Sequence, residues 1–453
     1  MHDSRGIAPG DLFVALPGQS ADGHTFLEDA FDRGACGALV SDPSAGPEDA
    51  PNLIVVDDPG SALLRLATAR RKALAATLVG ITGSNGKTTT RALLAQALRE
   101  TDDDPAIFSA PKNYNTEIGL PLALLAMPET ASIGLFELGA ECPGDIELLV
   151  DTLVPHIGLI TTIGPSHLDG FGSIDAVAEE KWRLVEGLPP DGLAVVNADC
   201  PRLRDRATRA AVECLTVGLN HGEVRARLEA VAPRLILTID DDPSLYLDVP
   251  LAGLHNATNL LLAAVTARRL GTPPEQIEAR LRTFTSVAHR LRPIPTSFGT
   301  VLDDTYNANP ASATAALDVL AQLGSTDAGR LFVFGEMCDL GSDSDRYHDE
   351  VLDRALSLEL DAILPVGDGA TAACRRRPEA VFIESDRSCL AQTIQSHCSD
   401  SRAWIVLIKG SRALELEELV DELLAADRGP RAHGRSGRDS GSKPSASNTN
   451  RSE

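Results

Sequence analysis

Lysine is scarce in this chain of 453 residues: Lys72, Lys87, Lys112, Lys181, Lys409 and Lys443 are the only six, so nearly all of the 41 basic side chains are arginine. Positive charge is itself in deficit, because 65 acidic residues leave a net charge of −24. So acidic a body disfavours broad binding to nucleic acid or to an anionic membrane, while leaving room for small anions in a local pocket. Solubility alone accounts for the acidity, and a salty cytoplasm is the sharper alternative. No apolar run approaches the ~20 residues that span a bilayer, and Met1-His2-Asp3-Ser4-Arg5 is not a signal peptide. The 8 cysteines stand singly, with no C-x-x-C pair. That spacing argues against a disulfide framework or a zinc site and for reduced thiols in a cytoplasmic protein.

What is present is ordinary globular composition, 43% hydrophobic and 23% charged, over a length that suggests about three domains of ~150 residues each. Short strands and one helix between Asp11 and Asp58 (LFVAL, FLEDAFDRG, GALVSD, LIVVDD) form a small α/β unit. From TLVGIT to about Leu291, apolar strands alternate with helices, which predicts a mostly parallel sheet covered on both faces, interrupted by a β-rich insert (VECLTVGL, RLEAVAPRLILTID). After Pro293 a Rossmann-like series follows: TVLDDTY, RLFVFGE, AILPV, AVFIES and WIVLIKGS, with helices between them. The expected boundaries are 1–75, 76–291 and 292–427, with a disordered Gly/Ser/Arg-rich tail at 428–453.

The strand TLVGIT runs into Gly83-Ser84-Asn85-Gly86-Lys87-Thr88-Thr89-Thr90 and an apolar helix. This is the context of a phosphate cradle: backbone N–H groups face the anion, Lys87 reaches the terminal phosphates and Thr88 can ligate magnesium. The strict G-x-x-x-x-G-K-[ST] spacing would place its first glycine at Ile81. Glu137 ends the strand SIGLFELG, where a carboxylate can meet a metal at the P-loop. His167 in SHLDGFGS and Lys181 in AVAEEKWRL have plain readings as a loop histidine and a solvated lysine, and gain weight only jointly with the loop. In Gly253-Leu254-His255-Asn256-Ala257-Thr258-Asn259, Asn256 or Thr258 either caps the following helix or binds a ligand. Asp303-Asp304-Thr305-Tyr306-Asn307-Ala308-Asn309-Pro310 holds more hydrogen-bonding groups than a plain turn needs, and Lys409-Gly410-Ser411-Arg412 offers two cations to an anion at a strand end.

Taken in order, GITGSNGKTTT, NYNTEIGLP, FELGAECPGDIE, SHLDGFGS with EEKW, GLHNATN, HRLRP, DDTYNANP, FGEMCDLGSDS and IKGSR resemble the Mur ligase family of peptidoglycan precursor synthesis, from Asp3 to about Ala426. Within it, DSRGIAPGDLFVAL, DDTYNANP, GEMCDLG and KGSR look most like the D-alanyl-D-alanine-adding (MurF) type. The D-N-P-R segment usual in the type that adds the third residue does not occur. The resemblance implies a small N-terminal α/β domain for the UDP-linked substrate, a central P-loop ATPase-like parallel sheet and a C-terminal Rossmann-like domain. It implies a monomeric ATP-dependent ligase that joins D-alanyl-D-alanine to UDP-N-acetylmuramoyl-tripeptide through an acyl phosphate.

By the same resemblance, Gly83 to Thr89 cradle ATP, while Thr88 and Glu137 hold one magnesium. His167 and a Lys181 carbamylated by CO2 hold a second. Lys87, His167 and Lys181 carry the catalysis. His255, Asn256, Asn259, Arg290, Asp304, Asn307 and Asn309 contact the nucleotide. Asn113, Asn115 and Glu117 face the muramoyl substrate, Ser4 and Arg5, with Asp22, Gly23 and His24, match the uridine-diphosphate region, and Lys409 and Arg412 reach phosphate or a substrate carboxylate. Members usually carry a further strand and helix before the DSR segment, so a first domain shortened at its start is expected. They also commonly have glycine where His289 stands. The alternatives are an amino-acid-adding (MurE-type) ligase, a folylpolyglutamate-synthase-like ligase, or a non-catalytic P-loop module, against which the joint presence of Lys87, Thr88, Glu137, His167 and Lys181 argues.

Overall fold

A computed structural model describes all of the chain except residues 19–20, 48–51, 102, 112–113, 241–242, 325–326, 379–381 and 428–453. Asn113 and the tail therefore lie outside the described residues. Among the described residues the strands form three separate sheets. In the first, Leu12–Val14, Gly37–Val40 and Leu53–Val55 are parallel. One face buries Phe13, Leu27, Ala38 and Val40, and the other packs Val14 and Leu39 against Leu63 of the helix Pro59–Ala73.

The central sheet has nine strands, of which seven are parallel and the last two, Leu235–Ile239 and Leu245–Val249, add on antiparallel. These two and Val224–Ala230 make the β-rich insert. Thr77–Thr82 lies between Ile133–Glu137 and Ile157–Ile160, so the carboxyl ends of three buried strands converge on one point. Ligands of open parallel sheets bind at such carboxyl edges. Helices Lys87–Leu98 and Leu254–Arg269 cover one face; Asp145–Leu153 and Ile174–Glu186 cover the other. Leu93, Leu94, Leu260, Leu261 and Leu262 are fully buried in this contact, each contributing about 1.5–3 kcal/mol. Capping is not the role of Asn256 or Thr258: the helix starts at Leu254 behind Gly253, whose φ of +103° begins it without a side-chain cap. Asn256 instead donates to Ala252 O at 2.8 Å from inside the first turn.

The third sheet pairs Gly299–Asp304, Trp404–Lys409, Gly329–Gly335 and Ala362–Val366 in parallel, with Arg292–Thr296 as an antiparallel edge. The strand expected at AVFIES is not formed over its described residues 382–385. The Ile383 N–H reaches the neighbouring strand, at Ile363 O, before Ser385 turns toward Thr393. The result is the three-part α/β architecture expected from the sequence. Between the second and third parts, His289 and Leu291 adopt φ +61° and +48°, a left-handed conformation in which glycine is the unstrained residue. His289 is held there by Asp303, 3.0 Å from its Nδ1, and the Leu291 N–H donates to Asp304 Oδ1 at 3.1 Å.

Candidate functional site

Ile81 is fully buried in the strand Thr77–Thr82, so the phosphate-type loop begins at Gly83 and is shorter than the strict motif. Gly83 (φ +147°) and Gly86 (φ +86°) make its two turns. A Cβ on Gly83 would collide with Thr161 Oγ1, and one on Gly86 with the Asn259 amide. Lys87 starts the helix and folds back, its Nζ donating to Gly83 O at 2.6 Å. Desolvation pushes its pKa down to about 8, against the opposing pull of Glu137.

Glu137 is held on both oxygens. Thr88 Oγ1 donates to Oε2 at 3.0 Å, and Arg91 Nε donates to Oε1 at 2.7 Å. Arg91 also donates to Ala110 O at 2.6 Å and to Ser109 Oγ. The sequence reading missed this arginine, although its place four residues after Lys87 puts it on the same helix face.

Across the loop, His167 (φ +49°) stands before the short helix Leu168–Phe171, its pKa lowered chiefly by burial. Lys181, on Ile174–Glu186, is 1% exposed. Burial and the charge of Lys87 push it down to about 7, with Glu180 and Asp145 opposing. Glu180 caps the helix Asp145–Leu153 instead of pairing with Lys181, accepting from Gly144 N at 3.0 Å and Ile146 N at 2.7 Å.

The far wall comes from the third domain. Asn309 caps the helix Pro310–Gln322 and donates from Nδ2 to Asn85 Oδ1 at 2.8 Å, tying that helix to the loop. The Arg290 guanidinium lies 3.9 Å from the Tyr306 ring centroid. These walls enclose a cavity of about 250 Å³ reaching from Gly86 and Glu137 to Asn307 and Asn309. A second cavity, of about 330 Å³, extends past Glu117 and Asp145 to Lys181. Ser84, Lys87, Asn115, Glu141, Ser166 and His167 line both.

Other expected residues stand back from this space. Asn256 and Asn259 are buried behind the loop and bonded to each other at 3.1 Å. His255 is pushed down to about 4 by desolvation, against the opposing charge of Asp304. Asp304 is also buried, pairing with Lys409 Nζ at 2.7 Å; Lys409 donates in addition to Asn307 O at 2.9 Å, and lines neither cavity. Arg412 is exposed and pairs with Glu417, so the two cations of Lys409-Gly410-Ser411-Arg412 do not act together. Ser4 is buried and Arg5 exposed, in the first domain and outside both linings. Asp22 accepts from the His24 backbone at 3.0 Å and its ring at 2.7 Å, also in the first domain. Among the described residues no group of three His, Cys, Asp or Glu side chains forms a metal cluster.

The three sheets coincide with three sequence-family matches: the Mur ligase family catalytic domain at residues 1–77, the Mur ligase middle domain at 81–267 and the Mur ligase glutamate ligase domain at 289–426. The UDP-N-acetylmuramoyl-tripeptide–D-alanyl-D-alanine ligase of Escherichia coli K12 is 32% identical, over 93% of this chain and 92% of the relative; that of Mycobacterium tuberculosis H37Rv is 35% identical, over 94% and 92%. Among solved structures, MurF from Acinetobacter baumannii superposes with a TM-score of 0.84 at 30% identity, covering 94% of this chain and 93% of the other. The MurF ligase of Thermotoga maritima in complex with ADP gives 0.81 at 25% identity, covering 94% and 97%. Likeness of sequence and of fold runs through all three parts, and the chain belongs to the Mur ligase family.

Proposed function

We infer that this chain is an ATP-dependent ligase that joins D-alanyl-D-alanine to UDP-N-acetylmuramoyl-tripeptide. The observation that carries the reading is the pair of cavities sharing Lys87 and His167: one abuts the phosphate-type loop, and the other leads away from it toward Lys181. A phosphoryl donor in the first and a peptide carboxylate in the second meet at that shared wall. The loop N–H groups, the amino end of Lys87–Leu98 and the Lys87 ammonium bind the terminal phosphates. Carboxylate oxygen attacks the terminal phosphorus, ADP leaves, and the amine of D-alanyl-D-alanine then displaces phosphate from the acyl phosphate, releasing one proton. Holding the reacting groups together in a closed cleft supplies much of the rate, and the Asn85–Asn309 contact ties the nucleotide wall to the third domain.

Magnesium fits the donor set. The Thr88 hydroxyl and Glu137 carboxylate bring oxygen donors of the kind a hard cation takes to one edge of the first cavity. His167 and Lys181 would hold a second ion. The Lys181 amine, buried and without a hydrogen bond among the described residues, becomes an oxygen ligand when carbamylated by CO2. Bound there, magnesium neutralises charge on the transferring phosphoryl group. The further reading is that His255, Asn256, Asn259, Arg290, Asp304, Asn307 and Asn309 position the nucleotide, directly or from behind it. Asn113, Asn115 and Glu117 serve the muramoyl peptide, Ser4 and Arg5 the uridine diphosphate, and Lys409 and Arg412 the anionic substrates. Domain limits at 75, 291 and 427, a monomeric state and a cytoplasmic setting complete it; among the described residues no helix is long and apolar enough to cross a membrane.

Phosphate release tests this, with ATP, magnesium, UDP-linked tripeptide and D-alanyl-D-alanine each omitted in turn. Release is expected only when all four are present. Equal release with diaminopimelate, lysine or glutamate in place of the dipeptide would assign the chain to another ligase of the family. ATP binding without acceptor-dependent release would make it a nucleotide-binding module.

A further inference from the structure

We propose that Arg91 is the positioning residue that sets the metal affinity of Glu137, an inference resting on the reading of Thr88 and Glu137 as a magnesium site. Arg91 lines neither active cavity and meets the first through Glu137, which does line it. It is 8% exposed and Glu137 is 7% exposed, so their ion pair is buried. A buried pair is a poor way to gain stability, because desolvating both charges offsets their attraction. Its geometry points to another use.

The guanidinium is anchored at three acceptors. Nε donates to Glu137 Oε1 at 2.7 Å, while Nη1 donates to Ala110 O at 2.6 Å and to Ser109 Oγ, at the carboxyl end of the strand Ile107–Ser109. Fixing Oε1 in this way leaves Oε2 as the oxygen turned to Thr88 Oγ1, 3.0 Å away. Without Arg91 the carboxylate loses its anchor on Oε1 and keeps only the Thr88 bond on Oε2, about which it can turn. The planar fork spans acceptors on two neighbouring strands, which a lysine ammonium reaches only one at a time.

The test separates metal affinity from nucleotide affinity. ADP binding is measured by calorimetry with and without Mg²⁺ in the wild type, Arg91→Gln, Arg91→Lys and Glu137→Gln, and the ratio of the two affinities is the metal increment. Loss of a partner that orients a metal ligand typically costs roughly 10–100-fold in metal affinity. The increment in Arg91→Gln is therefore expected to fall about tenfold or more, with metal-free ADP binding within about twofold of the wild type, and Arg91→Lys is expected to recover part of it. If Arg91→Gln fails to fold by circular dichroism, Arg91→Lys, which keeps the charge and loses the fork, carries the test with a smaller fall in the increment, and an increment equal to the wild type's overturns the proposal. An unchanged or larger increment in the folded variant overturns the proposal, since removing a cation beside a metal site would by charge alone favour the metal. An increment absent from the wild type, or retained in full by Glu137→Gln, overturns instead the reading of Glu137 as a ligand.

Discussion

Replacing Lys181 with methionine removes the ammonium and keeps a similar length of apolar chain in a site that is 1% exposed. Burial, joined by the charge of Lys87, lowers the Lys181 pKa from 10.5 to about 7. The unfolded chain therefore binds more protons than the folded one between about pH 7 and 10.5, and stability rises with pH across that window. The cost of burying this amine in place of a neutral group is about 4 kcal/mol at pH 7, shrinking to about 1 kcal/mol at pH 10. Lys181→Met should thus be the more stable protein at pH 7, with the advantage largely gone at pH 10, and it should have no ligase activity. Urea unfolding of both proteins in CO2-free buffer at the two pH values reads the difference. Adding bicarbonate should then stabilise the wild type more than the variant, because the variant lacks the buried amine that would form the carbamate. An advantage independent of pH, or a variant less stable than the wild type at pH 7, would refute the reasoning: the amine would then be stabilised as a cation by its surroundings.

Lys181→Arg should abolish phosphate release, since a guanidinium forms no carbamate, whereas Lys181→Glu should keep a small residue by supplying carboxylate oxygens directly; full activity in Lys181→Arg would exclude the carbamate. Gly83→Ala places a side chain at φ +147° and against Thr161, at a cost of at least about 1–2 kcal/mol, and ADP titration should show binding weakened tenfold or more. Asn309→Ala removes a capping box and the inter-domain amide pair. It should lower stability by about 1–2 kcal/mol and raise the KM for ATP, whereas an unchanged KM would mean that the pair does not help close the cleft.

Much of this site was legible because its chemistry is local. A strand, two glycines, a lysine and a threonine in twelve residues have the pattern of a phosphate-type loop, and alternating apolar segments specify the parallel sheet that carries it. What escaped depends on distance through space. Arg91 is one arginine among many until the fold brings Glu137, from the neighbouring strand, to its Nε. Asn85 and Asn309 are 224 positions apart, and neither signals the other. The helix start at Gly253 was obscured because Asn256 and Thr258 have capping chemistry, whereas a positive φ at the glycine makes the turn without it. AVFIES has strand composition, yet after the Ile383 N–H its last residue, Ser385, bonds to Asp386 O and to Thr393 of the following helix rather than to the sheet. His289 reads as an exception to the glycine usual in the family; the structure keeps the left-handed backbone and adds a bond from the imidazole to Asp303 that glycine could not make.

The scarcity of lysine has a physical reading once these positions are compared. Lys87, Lys181 and Lys409 are each pushed below their ordinary pKa by desolvation. Arginine cannot make that adjustment, because its guanidinium stays charged in any protein environment. At Lys181 a neutral amine is the species that would react with CO2, so arginine is excluded chemically. At Lys87 the obstacle is geometric: a compact ammonium folds back onto Gly83 O, and a planar fork would have to open the loop to fit. Lys409 differs again, since its ammonium makes 2.7 and 2.9 Å bonds to Asp304 and Asn307 from inside the domain wall and lines neither of the two cavities. Its charge balances Asp304, whose other oxygen holds the Leu291 N–H at the hinge. Lys87, Lys181 and Lys409 thus share burial as compact amines, and Lys409 braces the segment that joins the second and third sheets.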